Sequence, residues 1–418
     1  MNRKTFLTTG AAALAAAGLS KGVDRAANSP ATLGAEQAQS IRDLFPRLEN
    51  LRYLNAAGGT PLASFSREGV EKYMAWWNDG PGTPSAQYAS DVVGGVRGRF
   101  AGLVGADESE IAMVNSTKAG EQMVMDGLGL LGSGRNLVTN DLHFHGSLHN
   151  LIGMRDHGLD VRIVKAENWA VSTEAMADAI DDNTALVSVT MVSNVNGHVE
   201  DIRALADLAH HHGAYLYVDL IQAAGIYPVD LHELDVDFAA ANGYKWLYGT
   251  YGAAFLYVRQ SLQGTVMRDL AFPGATSHNY RPWVDTPTEG VGDYPVSYRE
   301  DATRYQPGHQ AYIAHAATWE GMAFIESIGV EAMHAHSLRL CQRLRNAVDL
   351  DHLPCISPEN GDGPIISFKV ADAPRLQQPL LDAGLGISLH PDYIRVSPAI
   401  YNSNEDMDVL AEVLGRFV

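Results

Sequence analysis

Apolar residues recur along most of this chain in two spacings, and the spacing changes from one stretch to the next. Short apolar runs predict buried strands at Ile111–Val114, 185–191 and Phe238–Asn242. Between such runs, apolar residues three and four positions apart predict helices, for example at 173–180 and 202–212. Strands that alternate with helices in this way are typical of an α/β fold with a mostly parallel sheet.

The C-terminal third follows a different pattern, in which helices precede a few isolated strands. Its predicted elements are helices at 310–328 and 331–347, strands at 365–370 and 394–396, and a last helix at Asn404–Phe417. This order indicates a small α+β region after the large α/β region. Between the two regions, residues 272–304 are rich in Gly, Pro, Tyr and charge, which is typical of a binding loop.

Polar groups follow two of the apolar runs in the stretch 214–258. The first run ends at Asp219, and the second, Phe238–Asn242, is followed by Lys245. In open α/β sheets the carboxyl ends of the strands line the ligand crevice. We therefore expect Asp219 and Lys245 to meet over one ligand, although they are far apart in the sequence.

An amine and a carboxylate placed in this way match the needs of pyridoxal phosphate. That cofactor forms an imine with an amine, here Lys245, and needs an acid beside its pyridine nitrogen, here Asp219. Gln222 leaves the same strand end and is expected to hydrogen-bond the phenolic oxygen or the imine. Each residue alone has an ordinary alternative, since a lysine beside Trp246 is commonly a surface residue and an aspartate after a strand commonly forms a turn.

A further strand end predicts an anion site. The run Ile111–Val114 leads into a helix through Ser116 and Thr117. Unpaired backbone N–H groups and the dipole at a helix start favour a bound anion. Thr117 is therefore the predicted phosphate-binding residue, with Ser116 beside it. As a plain helix cap the same pair would be unremarkable.

The segments YVDLIQAAG and NGYKWLYGTYGAAFLYV together resemble the class V aminotransferase family of fold-type I pyridoxal phosphate enzymes. This family includes cysteine desulfurases, kynureninases and isopenicillin N epimerase-like proteins. The resemblance extends from about Tyr53 to the C-terminus. It implies a homodimer whose subunits have a large domain at 61–300, with a mostly parallel seven-stranded sheet, and a small α+β domain at 301–418. Residues 31–60 would pack on the small domain.

The resemblance also assigns roles to single residues. His143 aligns with a histidine or aromatic residue that stacks on the pyridine ring in relatives, and His145 is the alternative. Asn194 matches an asparagine that contacts the phenolic oxygen. Arg395 matches an arginine that grips the substrate carboxylate with two parallel bonds, its alternative being an ordinary ion pair at a strand edge. The remaining assignments are Tyr244 beside the cofactor, Thr276 on the phosphate of the neighbouring subunit, and Asn55 and His309 on the substrate side.

The turn that contains His309 departs from the family pattern, and the histidines near His143 have a competing interpretation. Gln306 and His309 differ from the family's R-F-E-x-G-T turn, so this turn departs from the pattern that makes substrate-side contacts in the family. A metal cluster of His143, His145 and His149 is the competing interpretation of the histidines. No acidic or sulfur partner follows at ligand spacing, so no metal is predicted.

The reaction type stays open among transamination, epimerisation and elimination. Desulfurases carry a nucleophilic cysteine before the carboxylate-binding arginine, but residues 384–393 contain none. The sequence therefore favours an aminotransferase-like or epimerase-like enzyme that acts on an amino acid or a peptide amine. The alternatives are a C–S or C–C lyase and a non-catalytic binding protein, and the presence of Lys245, Asp219 and Arg395 together argues against the latter.

Charge and the N-terminus bear on partners and location. The 418-residue chain has a net charge of −19, which argues against nucleic acid as a partner, and its two cysteines form at most one disulfide.

Residues 1–30 resemble a twin-arginine export signal, with Lys4 in place of the second arginine. The apolar run within residues 1–30 is too short to span a membrane stably. We expect a periplasmic protein without membrane contact after export. The alternative is a cytoplasmic protein with a disordered Ala-rich tail.

Overall fold

The computed structural model describes residues 35–268 and 298–417. Its strands are β1 (Arg52–Tyr53), β2 (Ile111–Val114), β3 (Asn136–Asn140), β4 (Asp160–Val164), β5 (Thr184–Thr190), β6 (Tyr215–Asp219), β7 (Phe238–Asn242), β8 (Ala254–Val258), β9 (Ile366–Lys369), β10 (Leu385–Gly386), β11 (Ser388–Leu389) and β12 (Tyr393–Val396). Its α-helices are α1 (Ala35–Arg42), α2 (Ser64–Asp79), α3 (Pro84–Val104), α4 (Thr117–Leu128), α5 (His145–Asp156), α6 (Thr173–Ala179), α7 (Ile202–His211), α8 (Tyr312–Ile328), α9 (Val330–Ala347), α10 (Gln377–Asp382) and α11 (Asn404–Phe417).

The largest sheet has seven strands in the order β2-β8-β7-β6-β5-β3-β4. β8 is antiparallel to both of its neighbours, β2 and β7, and the other neighbouring pairs are parallel. Every strand of this sheet except β8 therefore ends at the same edge. This arrangement confirms the predicted α/β fold with a mostly parallel seven-stranded sheet.

Apolar cores lie on both faces of the sheet, as the continuous apolar runs predict. Ala239 and Ala241 of β7 belong to one core, whereas Phe238 and Ala240 belong to the other. Successive side chains of a strand point to opposite faces, so the two cores are separated by the sheet itself. Helices cover each face with apolar residues at helical spacing, as α7 does with Ile202, Leu205, Ala206 and Ala209.

The C-terminal region forms a separate antiparallel sheet in the order β11-β12-β9. Its own core includes Leu340 of α9, Phe368 of β9 and Ile394 of β12. β1 pairs in parallel with β10, and Leu54 belongs to the same core. The segment around residue 53 is thus joined to the C-terminal region rather than to the seven-stranded sheet.

The hydrophobic pattern does not predict α5. Its sequence, HGSLHNLIGMRD, is largely polar, and only Ser147, Leu151 and Met154 are buried. The sequence pattern of the helix after β2 extends to Leu131, but α4 ends at Leu128, because Gly129 has φ of 64° and takes the left-handed conformation. The predicted export signal and Thr276 lie outside the described residues. Within residues 35–268 and 298–417, no helix is long and apolar enough to cross a membrane.

Candidate active site

Several of the predicted site residues lie at the edge of the large sheet where the carboxyl ends of the parallel strands are found. Asp219 is the last residue of β6, and β6 pairs with β7, whose following loop carries Lys245. The other strand ends supply Thr117 after β2, His143 after β3 and Asn194 after β5. These residues therefore follow strand ends of one sheet edge, and that they surround one ligand stays a prediction.

Asp219 is a deeply buried carboxylate, with 2% of its surface exposed. Its Oδ1 accepts a hydrogen bond from the backbone N–H of Ile221 at 2.8 Å. Burial raises the pKa of Asp219 to about 6, although His143, the Ile221 N–H and Lys245 act in the opposite direction. The side chain is consequently a carboxylate at neutral pH and is able to stabilise a positive charge placed against it.

Lys245 is the buried amine of the site, with 6% of its surface exposed. Its backbone carbonyl accepts hydrogen bonds from Thr60 Oγ1 at 2.8 Å and from the Tyr248 N–H at 3.1 Å, which fix the loop after β7. Burial lowers the pKa of the amine to about 8; Asp219 raises it and Arg395 lowers it. About a tenth of Lys245 is therefore uncharged at pH 7, far more than of a lysine with the ordinary pKa, and the uncharged form is the nucleophilic one.

Gln222 and Tyr244 support the surroundings of Lys245. The Gln222 carboxamide accepts from Trp246 Nε1 at 2.8 Å and donates to the Ala57 carbonyl oxygen at 3.1 Å. Gln222 Nε2 has a second hydrogen that can be donated to a cofactor, and the contact with the cofactor stays a prediction. The Tyr244 ring lies 4.4 Å from the exposed ring of Tyr251, measured between centroids.

The two histidines considered for ring stacking occupy different environments. His143 is buried, and its Nε2 lies 3.3 Å from Glu121 Oε1 and 3.4 Å from Ser188 Oγ. His145 is exposed at the start of α5. Partial burial lowers the pKa of His145, and His149 and the positive charges of Lys245 and Arg395 add to this effect. The stacking assignment, to His143 or to His145, stays a prediction.

Arg395 of β12 lies between two of the other predicted residues. Its Nη1 donates to the Asn194 carbonyl oxygen at 2.9 Å, and its Nη2 donates to Asn55 Oδ1 at 3.1 Å. These bonds bring the C-terminal sheet, the N-terminal segment and the loop after β5 together at one guanidinium. Burial lowers the pKa of Arg395, and the neighbouring tyrosines 393, 53 and 244 raise it. Arginine stays charged in proteins, so this is a fixed cation with asparagine and tyrosine neighbours.

The substrate-side assignment of His309 has less support. His309 is exposed in the loop before α8, and no hydrogen bond within the described residues joins it to Arg395 or Lys245. Gln306, which also departs from the family pattern, is buried, and its Oε1 accepts from the Met113 N–H at 3.1 Å. Gln306 therefore stabilises β2, and the role of His309 stays a prediction.

Buried polar atoms without a partner test whether the site fits pyridoxal phosphate. In the described part of the chain they include Thr117 Oγ1, His143 Nδ1, Asn194 Oδ1, Asn242 Oδ1 and Arg395 Nε. All five belong to residues of this site or of its strand ends. Leaving such atoms unpaired is unfavourable, so the set indicates a polar ligand at this edge.

At the N-terminus of α4, the hydrogen bonds distinguish between the two residues predicted to bind the phosphate. Ser116 Oγ accepts from the Ala119 N–H at 3.1 Å and is the helix cap, whereas the Thr117 hydroxyl has no partner among the described residues. Thr117 thus fits a phosphate, Asp219 a ring nitrogen, Lys245 an aldehyde and Arg395 a carboxylate. These residues fit pyridoxal phosphate and an amino acid substrate.

Sequence reasoning missed two residues of this site. Asn242 is the last residue of β7 and precedes Lys245 in the segment NGYK. Glu121 lies on the buried face of α4, where it accepts from Ser147 Oγ at 2.6 Å and from Ser188 Oγ at 3.2 Å. A signal for Glu121 was present, because it falls in the helical spacing of buried positions that includes Gly120 and Val124.

The cysteines do not supply a nucleophile. Cys341 is buried in α9, and burial raises the pKa of its thiol to about 12. Burial also raises the pKa of Cys355, whose Sγ donates to the Ser367 carbonyl oxygen at 3.4 Å. Both are free thiols rather than a disulfide. A thiol held in its protonated form is a poor nucleophile.

Comparison with known proteins agrees with this geometry. The family model described as aminotransferase class-V matches residues 53–410. A probable cysteine desulfurase of Methanothermobacter thermautotrophicus is 26% identical over 405 residues, which cover 90% of this chain and 97% of that protein. The kynureninase of Pseudomonas fluorescens is 26% identical over 401 residues, which cover 90% and 92%.

A solved structure resembles the fold over nearly the whole chain. It is a lysine-to-alanine variant of C-DES with glycine covalently linked to its pyridoxal phosphate cofactor. The TM-score is 0.76 at 20% identity, and the match covers 90% of this chain and 99% of that one. At this identity the likeness establishes a shared fold, which is that of fold-type I enzymes.

Proposed function

This chain belongs to the class V aminotransferase family, and on that premise we propose that it is a pyridoxal phosphate-dependent enzyme acting at the amine-bearing carbon of an amino acid or a peptide. The reaction we propose is aminotransferase-like or epimerase-like. The observation that carries the proposal is the pairing of a buried amine, Lys245, with a buried carboxylate, Asp219, at the ends of adjacent strands. Pyridoxal phosphate is the cofactor of this family.

Lys245, Asp219 and Arg395 have separate roles in the proposed reaction. When bound, the cofactor supplies an aldehyde for linkage to an amine and a ring that accepts electrons from the substrate. Lys245 would be the amine that holds the cofactor and the base that takes the proton from the substrate Cα. Asp219 stabilises positive charge at the ring nitrogen. Arg395 binds the substrate carboxylate and so fixes the orientation of the Cα–H bond.

An enzyme thiol has no part in the proposed reaction. Cys341 and Cys355 are the only cysteines of the chain, and burial raises the pKa of each thiol. A C–S or C–C lyase reaction that does not use an enzyme thiol is the second candidate. It is favoured by the names of the relatives, which are cysteine desulfurase and kynureninase.

The test is a screen of amino acids and short peptides against the purified, cofactor-loaded protein, with products identified by mass spectrometry. Exchange of the amino group with a keto acid identifies an aminotransferase, inversion at Cα an epimerase, and release of a fragment from the β-carbon a lyase. The Lys245→Ala variant is the control, because it lacks the base and the linkage. If borohydride fixes the cofactor to that variant as well as to the native protein, the assignment of Lys245 is wrong.

We also propose that the protein is exported and forms a homodimer. Residues 1–30 support export through their resemblance to a twin-arginine signal, and the family resemblance supports a dimer in which Thr276 reaches the partner's phosphate site. Cell fractionation would find a shortened, cofactor-loaded protein in the periplasm, and light scattering would give twice the subunit mass. A full-length cytoplasmic protein, or a monomer at working concentration, would contradict the respective proposal.

A further inference from the structure

The sheet β11-β12-β9 has one face in the apolar core of the C-terminal region and one face toward the candidate active site. Ile394 and Val396 of β12 belong to that core, and Leu389 of β11 packs against it. Successive side chains of a strand point to opposite faces. The alternate positions, which therefore lie on the other face, are Ser388, His390, Tyr393 and Arg395. We call this face the Arg395 face.

The strand register places Ser388 and His390 beside Arg395. Ser388 is directly opposite Arg395 in the β11–β12 pair, and residues so placed have Cβ atoms about 4.5–5.5 Å apart. The His390 N–H donates to the Tyr393 carbonyl oxygen at 3.0 Å, which continues the pairing of the two strands. His390 is therefore opposite Tyr393 and is a diagonal neighbour of Arg395, at about 7–8 Å. Ser388 and His390 are each partly exposed, so a ligand can reach them.

Ser388 and His390 form a polar pair with a fixed geometry. Ser388 Oγ and His390 Nε2 are 3.1 Å apart. The His390 ring stacks on the Tyr393 ring, with the centroids 4.1 Å apart and an angle of 3° between the planes. Stacking fixes the plane of the imidazole, and the contact with Ser388 leaves Nδ1 for a further hydrogen bond. Burial lowers the pKa of His390, and the charge of Arg395 adds to this effect, so the pair is uncharged near neutral pH.

The side chains of β9 on the Arg395 face are already bonded to other parts of the protein. Ser367 is also directly opposite Arg395, and its Oγ donates to the Val195 carbonyl oxygen at 2.7 Å. Lys369, the next residue of β9 on this face, forms an ion pair with Asp392. Within the described residues, the β11 side chains of this face hydrogen-bond only to each other. They are therefore the neighbours of Arg395 that are available to a ligand.

A substrate whose carboxylate is held by Arg395 places its own side chain near β11. In an α-amino acid the carboxylate and the side chain are attached to the same carbon, so groups that flank the carboxylate site also flank the side chain. A cationic side chain would be repelled by Arg395, and the uncharged pair supplies no charge for an anionic one. What the pair supplies is a hydroxyl and an imidazole, which both donate and accept hydrogen bonds.

We propose that Ser388 and His390 hydrogen-bond the side chain of the substrate and select an uncharged polar side chain, such as an amide, over an apolar one of the same size. The two residues determine specificity and take no part in the transfer of the Cα proton. The proposal deepens the proposed function and rests on its assignment of Arg395 to the substrate carboxylate.

The experiment measures how tightly the cofactor-loaded protein binds four amino acids, by stopped-flow absorption of the bound cofactor before product forms. Asparagine and leucine are similar in size and shape, as are glutamine and methionine, so each pair differs mainly in side-chain polarity. We expect the native protein to bind the amides about tenfold or more tightly, because an apolar side chain leaves the polar pair without a partner. Equal or tighter binding of leucine and methionine, or no binding of any of the four, would overturn the proposal.

His390→Phe and Ser388→Ala test the two members of the pair. Phenylalanine keeps a flat ring that can stack on Tyr393 but has no nitrogen. In each variant we expect the amides to bind about tenfold more weakly, with leucine and methionine within about threefold of their native affinities. A native preference for amides in both variants would overturn the proposal. Equal weakening of all four amino acids would also overturn it, because the pair would then serve the carboxylate that all four share.

Ser367→Ala is the matched control. Ser367 flanks Arg395 from the other neighbouring strand, but its hydroxyl is bonded to the Val195 carbonyl oxygen. Its loss should leave the preference for amides at the native value. A loss of preference as large as in Ser388→Ala would show a general disturbance of the Arg395 face and would contradict the specific role of the pair.

Failure of this proposal and failure of the proposed function are distinguishable. An enzyme that converts leucine and asparagine equally well, before and after His390→Phe, has the proposed function without this selection. Conversely, a protein that binds amides through His390 but neither exchanges the Cα proton nor forms any product has the selective site without the proposed function.

Discussion

Trp246 donates its indole N–H to Gln222 at 2.8 Å, and Gln222 donates in turn to the carbonyl oxygen of Ala57 at 3.1 Å. Trp246 directly follows Lys245, so these two bonds connect the residue beside the reactive amine to the end of β6 and to the N-terminal segment. Thr60 adds a bond to the carbonyl of Lys245 itself. The position of the amine is therefore set by two other parts of the chain, the end of β6 and the N-terminal segment.

Gln222→Ala should destabilise the protein. The change leaves the buried Trp246 N–H without its acceptor, and an unpaired buried donor costs about 1–3 kcal/mol. The free energy of unfolding, measured in urea, should fall by that amount. Gln87→Ala is the control, because Gln87 makes an exposed bond to Asp91 at 2.7 Å and its loss should change the free energy of unfolding by less than about 0.5 kcal/mol. Equal losses in the two variants would contradict the assigned role.

Asp219 should make the stability of the cofactor-free protein depend on pH. Its pKa is about 6 in the folded state, compared with about 3.9 in an unfolded chain. Protonated Asp219 therefore favours the folded state fully below about pH 4, and this contribution is lost as the pH rises through 6. Unfolding in urea at a series of pH values should show a loss of about 3 kcal/mol that Asp219→Asn does not show. Parallel curves for the two proteins would disprove this prediction.

Asp219→Ala should slow proton exchange at the substrate Cα without abolishing the link to Lys245. Without the carboxylate, the positive charge at the ring nitrogen is less stable, and the electrons left at Cα are held less well. The expected loss is about two orders of magnitude, as for other electrostatic partners in active sites. Deuterium incorporation in heavy water, at matched cofactor occupancy, measures it. Equal rates would show that Asp219 is only a residue of the turn.

Lys245 should react as an amine at a lower pH than an exposed lysine does. Its pKa of about 8 leaves about half of it uncharged at pH 8, compared with less than about 1% for a lysine with the ordinary pKa near 10.4. Acetylation of the cofactor-free protein, followed by peptide mass spectrometry over a range of pH, should show a midpoint near 8 for Lys245. The exposed Lys72 serves as the internal comparison. The prediction fails if both lysines follow the same curve.

Arg395→Lys should weaken substrate binding. Lysine keeps the charge but loses the planar fork that holds a carboxylate with two bonds and that also bonds to Asn55 and Asn194. KM for a carboxylate-bearing substrate should rise about tenfold or more. The surface variant Arg343→Lys, at an exposed ion pair with Asp408, should leave KM unchanged. An unaltered KM in Arg395→Lys would place the carboxylate elsewhere.

The strands and their polar ends could be predicted because the signals are local. Ile111–Val114 and Phe238–Asn242 have the bounds that their apolar runs predict, and the strand direction then places Asp219 and Lys245 at one edge. The local sequence pattern could not predict the contacts that Glu121 makes in the site. It contacts Ser188, 67 residues later, so its role depends on how α4 packs on the sheet. The helix α5 was also missed, because few of its residues are apolar and its start has no side-chain cap.

The bond between Asn55 and Arg395 joins residues that are 340 positions apart. The residues assigned here to hold the cofactor, from Thr117 to Lys245, leave the ribosome long before Arg395 does. During synthesis, the part of the protein that binds the cofactor is therefore complete well before the part that binds the substrate carboxylate. A chain cut short ahead of β12 would keep the lysine and its carboxylate partner but would have lost the means of holding an amino acid for reaction.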